Sequence, residues 1–228
     1  MDTRTYRPIP LGLTALVAVF SALVALGFSG GHAAAPHGDA PHATSPAITQ
    51  RELALRQGMS KLWEDHVTWT RLAVISLTTD APDTEATVGR LLRNQADLGN
   101  AIAPFYGKAA GAKLTALLRE HILIAADLIG AAKTGDQQAV SSQQARWQAN
   151  ADEIAAFLSS ANPDSWKPGE MRAMMREHLR LTTNEVVARL TTNWAADVRA
   201  YDRIHAQILR MADMLSDGLV TQFPRRFR

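Results

Sequence analysis

The sequence predicts an all-α fold, an antiparallel up-and-down bundle of about six long helices arranged as three helical hairpins and preceded by a signal or anchor helix. Three observations carry this expectation. From residue 49 onward, apolar residues recur in alternating steps of three and four, the period of a helix face, and no stretch reads as a strand. Turn signals interrupt that rhythm at regular intervals. A turn signal falls halfway between each successive two of six polar residues on the apolar stripes, His66, Asn94, His121, Asn150, His178 and His205.

The first helix is expected over about 49–79, with Leu55, Met59, Leu62, His66, Trp69, Ala73 and Ser76 on one face. Trp69 shares that stripe and is expected in the core. Trp63 lies off it, facing an adjoining helix or a partner, and Arg71 is expected to pair with Glu64 or Asp97. Pro82-Asp83 opens the second helix, about 83–106, whose face carries Leu91, Asn94, Leu98, Ala101 and Phe105. Gly107 and Gly111 mark the change to the third, about 109–133, with Leu114, Leu117, His121, Ile124 and Leu128 in line. Gly135 suits a helix C-terminus and Asp136 an N-cap, so a fourth helix is expected over about 136–160 with Trp147, Asn150, Ile154 and Phe157 inward. Asn162-Pro163-Asp164-Ser165 and Pro168 break the chain again. The fifth helix, about 168–191, carries Met171, His178 and Leu181, and the sixth, about 194–219, carries Trp194, Val198, Tyr201, His205, Ile208, Ala212 and Leu215.

Ahead of the bundle (49–220), Arg4 and Arg7 precede the uncharged run Leu11 to Phe28, followed by small residues. Residues 1–28 therefore read as a signal peptide or, because eighteen residues of helix reach roughly 27 Å, as an uncleaved signal anchor. No Lys or Arg follows until Arg51, so the positive-inside bias places the domain beyond the cytoplasmic membrane, periplasmic or otherwise extracytoplasmic. Residues 29–48 read as a flexible Ala/Pro/His linker, in which His32, His37 and His42 make either a soluble spacer or a weak copper, nickel or zinc site. Residues 221–228 form a basic, aromatic tail, read as a solubilising end or as a contact for anionic lipid or an envelope polymer.

Composition narrows the chemistry. With 24 Lys and Arg against 22 Asp and Glu, the net charge of +2 argues against nucleic-acid binding. The absence of cysteine excludes disulfides, thiolate metal sites, thiol nucleophiles and covalently attached haem. No Gly-rich phosphate loop, Gly-x-Ser-x-Gly elbow or His-Glu-x-x-His pair is present, and no Glu-x-x-His pair of the di-iron kind.

What remains is the polar layer. In an up-and-down bundle, residues equidistant from a turn sit at the same height, so four histidines and two asparagines are expected at one level. The triplets Glu64-Asp65-His66, Arg119-Glu120-His121 and Arg176-Glu177-His178 recur at intervals of 55 and 57 residues, with Asn94, Asn150 and His205 following 28, 29 and 27 residues later. That is a weak repeat of three hairpins. A buried polar group without a partner costs a few kcal/mol, so the layer must be satisfied. One reading is a hydrogen-bonded network that fixes helix register, with carboxylates such as Asp97, Glu153 or Asp202 and the phenol of Tyr201 around it. The other makes His66, His121, His178 and His205 ligands of copper or zinc, with Asn94, Asn150, Asp97, Glu153, Tyr201 and Asp202 behind them. Met175 and Met211 are either soft ligands for Cu⁺ or core filler, and a non-covalent haem held by two histidines is a further option.

The segments LLRNQADLGNAIAPFYG, REHILIAADLI, NADEIAAFLSSANP, MRAMMREHLRLT and YDRIHAQILRMADMLSDGL resemble a family of uncharacterised exported bacterial all-α proteins, over about residues 50–223. Some members carry the automatic name glycosyltransferase. The resemblance implies export and helical architecture. The helical pattern leaves no βαβ unit of the kind on which sugar-nucleotide binding usually rests. The expected role is an envelope bundle of packing or metal-binding type, with an envelope enzyme such as a group transferase as the alternative.

Overall fold

The computed structural model describes residues 48–228. The signal or anchor segment and the linker with His32, His37 and His42 lie outside the described residues. Six helices follow in order, α1 Gln50–Thr79, α2 Thr84–Tyr106, α3 Lys108–Thr134, α4 Gln137–Ala161, α5 Pro168–Leu190 and α6 Trp194–Gln222, then a 3-10 turn Pro224–Arg226. Among the described residues there is no strand, and no helix is long and apolar enough to cross a membrane.

Local chemistry sets the ends. Thr49 Oγ1 accepts from the Glu52 N–H at 3.2 Å, and Asp80 closes α1 in the left-handed region. Ser76 Oγ donates to Asp83 Oδ1 at 2.8 Å, tying the α1–α2 turn. Gly135, with φ of 76°, ends α3, and Asp136 Oδ1 accepts from the Ala139 N–H at 2.9 Å to start α4, as its sequence position suggested. Pro168 takes the first position of α5, and Asn193 Oδ1 caps α6 through the Ala196 N–H at 3.1 Å.

Each helix packs against the next, and α6 returns to pack on α1, which closes the contacts into a circuit. Helix α1 also touches α3 and α5 across the interior. Where α2 meets α3 the backbones nearly touch. A Cβ on Gly99 would overlap Thr115 Oγ1 and lie 2.5 Å from the Gly111 carbonyl oxygen, so only glycine fits there. One apolar core draws on all six helices, and Trp166 and Met171 from the α4–α5 end are fully buried within it.

Two local expectations, on the tryptophans and on Arg71, need correction. Trp63 is buried in the main core, whereas Trp69 is only half-buried, with the Arg90 guanidinium 5.1 Å from its ring centroid. Helix α1 has neighbours on several sides, so its buried face is wider than one stripe. Arg71 pairs with neither Glu64 nor Asp97 but with Glu185 and Asp197. The basic tail folds back on the bundle. Phe227 is buried, its carbonyl accepts from Thr49 Oγ1 at 2.6 Å, and the Arg226 guanidinium lies 5.1 Å from the Phe105 ring. Burying a phenylalanine stabilises by roughly 1.5–3 kcal/mol, which accounts for the docking.

Candidate functional site

Helices α1, α3 and α5 each carry one histidine into the interior: His66, His121 and His178, which are 3%, 3% and 5% exposed. The His66 and His178 ring centroids are 6.0 Å apart, and those of His121 and His178 are 6.4 Å apart. Three of the four sequence-predicted histidines therefore come together.

Each ring is held by an amide from the following helix. His121 Nδ1 lies 2.8 Å from Asn150 Oδ1, while Asn150 Nδ2 donates to the Leu117 carbonyl at 3.1 Å. His178 Nδ1 lies 3.1 Å from Gln207 Oε1, while Gln207 Nε2 donates to the Met174 carbonyl at 3.3 Å. Because each amide nitrogen is engaged on a backbone carbonyl, the amide oxygen faces the ring. Nδ1 must then carry the proton, and Nε2 presents a bare lone pair. Between α1 and α2, Asn94 Nδ2 donates to the Leu62 carbonyl at 3.0 Å, and Gln95 Nε2 donates to His66 Nδ1 at 3.3 Å, so His66 takes the opposite tautomer, with its proton on Nε2. Gln95 itself is anchored by donating to the Leu91 carbonyl and to Asn94 Oδ1. The partner lies 29 residues after the histidine in all three helix pairs. The carbonyl that each of Asn94, Asn150 and Gln207 engages belongs to the residue four before the histidine. The repeat read from the sequence is thus a hydrogen-bond clamp made by one amide at His121 and His178, and by two amides, with reversed polarity at the ring, at His66.

Burial, reinforced by the neighbouring imidazoles, pulls the pKa values of His66 and His121 down to about 3. Burial also lowers that of His178, against the opposing hydrogen bond from Gln207. All three rings are neutral near pH 7. The Nε2 atom of His121 is buried with no hydrogen-bond partner among the described residues. The three rings line two cavities of about 30 Å³ each, on opposite sides of the trio. The cavity toward the end where Thr49 meets Phe227 is bounded by Met59, Met175 and Met211 among other residues, and the other by Val74, Leu91 and Ile129. Each has room for a water molecule.

His205 does not join the trio. It is partly exposed on α6, with Nε2 3.3 Å from Glu64 Oε1 and its ring near Tyr201. Gln207 occupies the inward position instead. Asn94 and Asn150 are buried beside the rings. By contrast, Asp97, Glu153 and Asp202 are exposed and Tyr201 is partly exposed, so none of these four has the buried setting of the amides. Sequence reasoning missed Gln95 and Gln207: the pairs read from the sequence stood at offsets of 28, 29 and 27, and the common offset of 29 appears only with the partners the fold brings together. Among the described residues, no group of three or more His, Asp or Glu side chains stands at metal-holding geometry.

A second polar cluster ties α1, α5 and α6 together. Arg71 Nη1 donates to Glu185 Oε1 at 2.7 Å and Arg71 Nη2 to Asp197 Oδ2 at 2.8 Å, while Arg189 reaches Asp197 at 3.2 Å. Burial pushes the Glu185 carboxyl up. Burial opposes ionisation of Asp197 as well, but hydrogen bonds and charge from Arg71 and Arg189 outweigh it and hold that carboxyl below its usual range. Comparison of the chain with family models, curated proteins and solved structures returns no match.

Proposed function

We propose that this chain is an exported or membrane-anchored helical bundle whose three imidazoles, His66, His121 and His178, take one transition-metal ion, copper or zinc. The supporting observation is the repeated clamp. Histidines that ligate metals characteristically donate their second ring N–H to an oxygen that fixes ring orientation and tautomer. Asn150 and Gln207 supply that oxygen and leave Nε2 lone pairs inside a water-poor interior, whereas His66, which accepts from Gln95 at Nδ1, would ligate through Nε2 only after its proton moves. With metal–nitrogen distances of about 2.0–2.1 Å, rings around one ion stand with centroids about 5–5.5 Å apart. The observed 6.0 and 6.4 Å describe a cluster slightly open, which an ion would draw together.

The up-and-down, antiparallel reading of the bundle supports this. Paired contacts run from Ser76 with Asp83 beside the turn to His66 with Gln95 farther along, and the other hairpins repeat the latter pairing. Export rests on Arg4, Arg7 and the apolar run of residues 11–28, and the resemblance to an exported bacterial all-α family agrees with it. A second reading, in which the layer only fixes helix register, is favoured by the ring spacing and by the Nδ1 bonds already made.

Metal analysis of untagged full-length protein separates the two. Changing His32, His37 and His42 to Gln removes the competing linker ligands. The metal reading expects one equivalent of zinc or copper per chain, lost in His121→Gln. A protein that takes up neither ion supports the packing reading.

A further inference from the structure

We infer that the ion suited to the imidazole trio is copper(I), with the Met175 thioether as its fourth ligand. This deepens the metal reading of the same site and rests on it. With His205 at the surface, the trio lacks a fourth imidazole, and the fourth position must come from what lines the adjoining cavities. The cavity toward the Thr49–Phe227 end is closed by the three rings and carries three thioether side chains, Met59, Met175 and Met211. Met175 lies one turn before His178 on α5 and is 4% exposed. Met211 lies one turn after Gln207 on α6 and is 2% exposed. Met59 is two turns from His66 on α1, farther along the axis. A helix rises about 1.5 Å per residue, so Met175 is displaced from the histidine level by only about 4.5 Å, the least of the three.

Charge and softness then select the ion. Neither cavity is lined by a carboxylate. Three neutral imidazoles and a thioether leave the full ionic charge uncompensated in an apolar interior. The cost of burying an ion rises with the square of its charge, so a divalent ion carries about four times the penalty of a monovalent one. Thioether sulfur is a soft ligand that favours Cu(I), whereas an open zinc site holds water or hydroxide in its fourth place. The cavity of about 30 Å³ is lined mostly by Leu, Ile and Met, with the Trp63 indole N–H as its one unpartnered donor among the described residues, so it offers such a water few partners.

The test uses the full chain with His32, His37 and His42 changed to Gln, made metal-free under anaerobic, reducing conditions. Cu(I) and Zn(II) are titrated separately against a chelator of each ion, and the copper-loaded protein is examined by X-ray absorption. The inference expects one Cu(I) per chain with a sulfur neighbour at bonding distance. Met175→Leu, which keeps the side-chain volume, should weaken Cu(I) binding about tenfold or more, remove the sulfur neighbour and leave Zn(II) binding nearly unchanged. Met211→Leu, a substitution of the same size in the same cavity, should leave both ions bound as in the parent, which separates ligand loss from general disturbance. Copper surrounded only by nitrogen, or equal loss of both ions in Met175→Leu, overturns the inference while the metal reading stands. Failure of Cu(I) to bind overturns the inference, and failure of both ions to bind overturns the metal reading as well.

Discussion

At the scale of single residues, the unusual feature is three imidazoles kept neutral inside an apolar bundle. The pKa values of His66 and His121 are pulled down to about 3, against about 6.5 in an unfolded chain. Above about pH 6.5 both folded and unfolded forms hold the rings neutral, and their contribution to stability is complete. As pH falls below that value the unfolded chain takes up protons that the folded chain refuses, so stability drops progressively until about pH 3. Each ring contributes a slope of up to about 1.4 kcal/mol per pH unit. Urea denaturation between pH 7 and 4.5 should therefore show stability falling with acid, and His121→Gln should flatten the slope; an unchanged slope would mean that this ring is not held neutral by the fold. Three of the four histidines were legible as one cluster because distance from a turn sets height. Facing is set by about 100° of rotation per residue, and the two-residue step from His205 to Gln207 turns the side chain to another side of α6. Midpoint arithmetic carries no information on facing, which is why His205 was expected where Gln207 stands.

At the scale of elements, caps and turn residues made the helix limits readable: Gly135, Asp136, Pro168 and the αL residue Asp80 all sit where the chain changes direction. Widths of buried faces were not readable, because they depend on how many neighbours a helix has. Trp63 and Trp69 exchanged their expected settings for that reason, and the tail docked because Phe227 found apolar cover. The α2–α3 contact gives a sharp test. Gly99→Ala places a methyl against Thr115 Oγ1 and the Gly111 carbonyl, and overpacking of this kind costs about 1–3 kcal/mol. Gly58 on α1 has nothing within 4 Å of an added Cβ, so Gly58→Ala should stabilise by roughly 0.5–1 kcal/mol. Thermal denaturation of the two variants should move in opposite directions; equal behaviour would contradict the close approach of α2 and α3.

At the scale of the whole molecule, two polar assemblies lie within the bundle. The Arg71–Glu185–Asp197 cluster joins residues 114 and 126 positions apart and exists because both α5 and α6 pack onto α1, so no local pattern could reveal it. Removing one partner of a buried ionic cluster leaves uncompensated charge and costs about 3–5 kcal/mol. Arg71→Met should accordingly lower the chemical denaturation midpoint far more than Arg180→Met at the more exposed Arg180–Glu177 pair, whose loss should cost under about 1 kcal/mol. The imidazole trio is the other assembly, and its three hairpin clamps bring one ring from each of α1, α3 and α5 to a common place. A ligand that binds only the folded state raises stability by RT ln(1 + [L]/Kd), about 2.7 kcal/mol at a hundredfold excess over Kd. The most direct measurement is the melting temperature of the metal-free chain, with its linker histidines changed to Gln, before and after adding Cu(I) or Zn(II). A rise of several degrees that vanishes in His121→Gln is the expected result; a melting temperature indifferent to both ions would contradict the metal site and leave the trio as a device for packing alone.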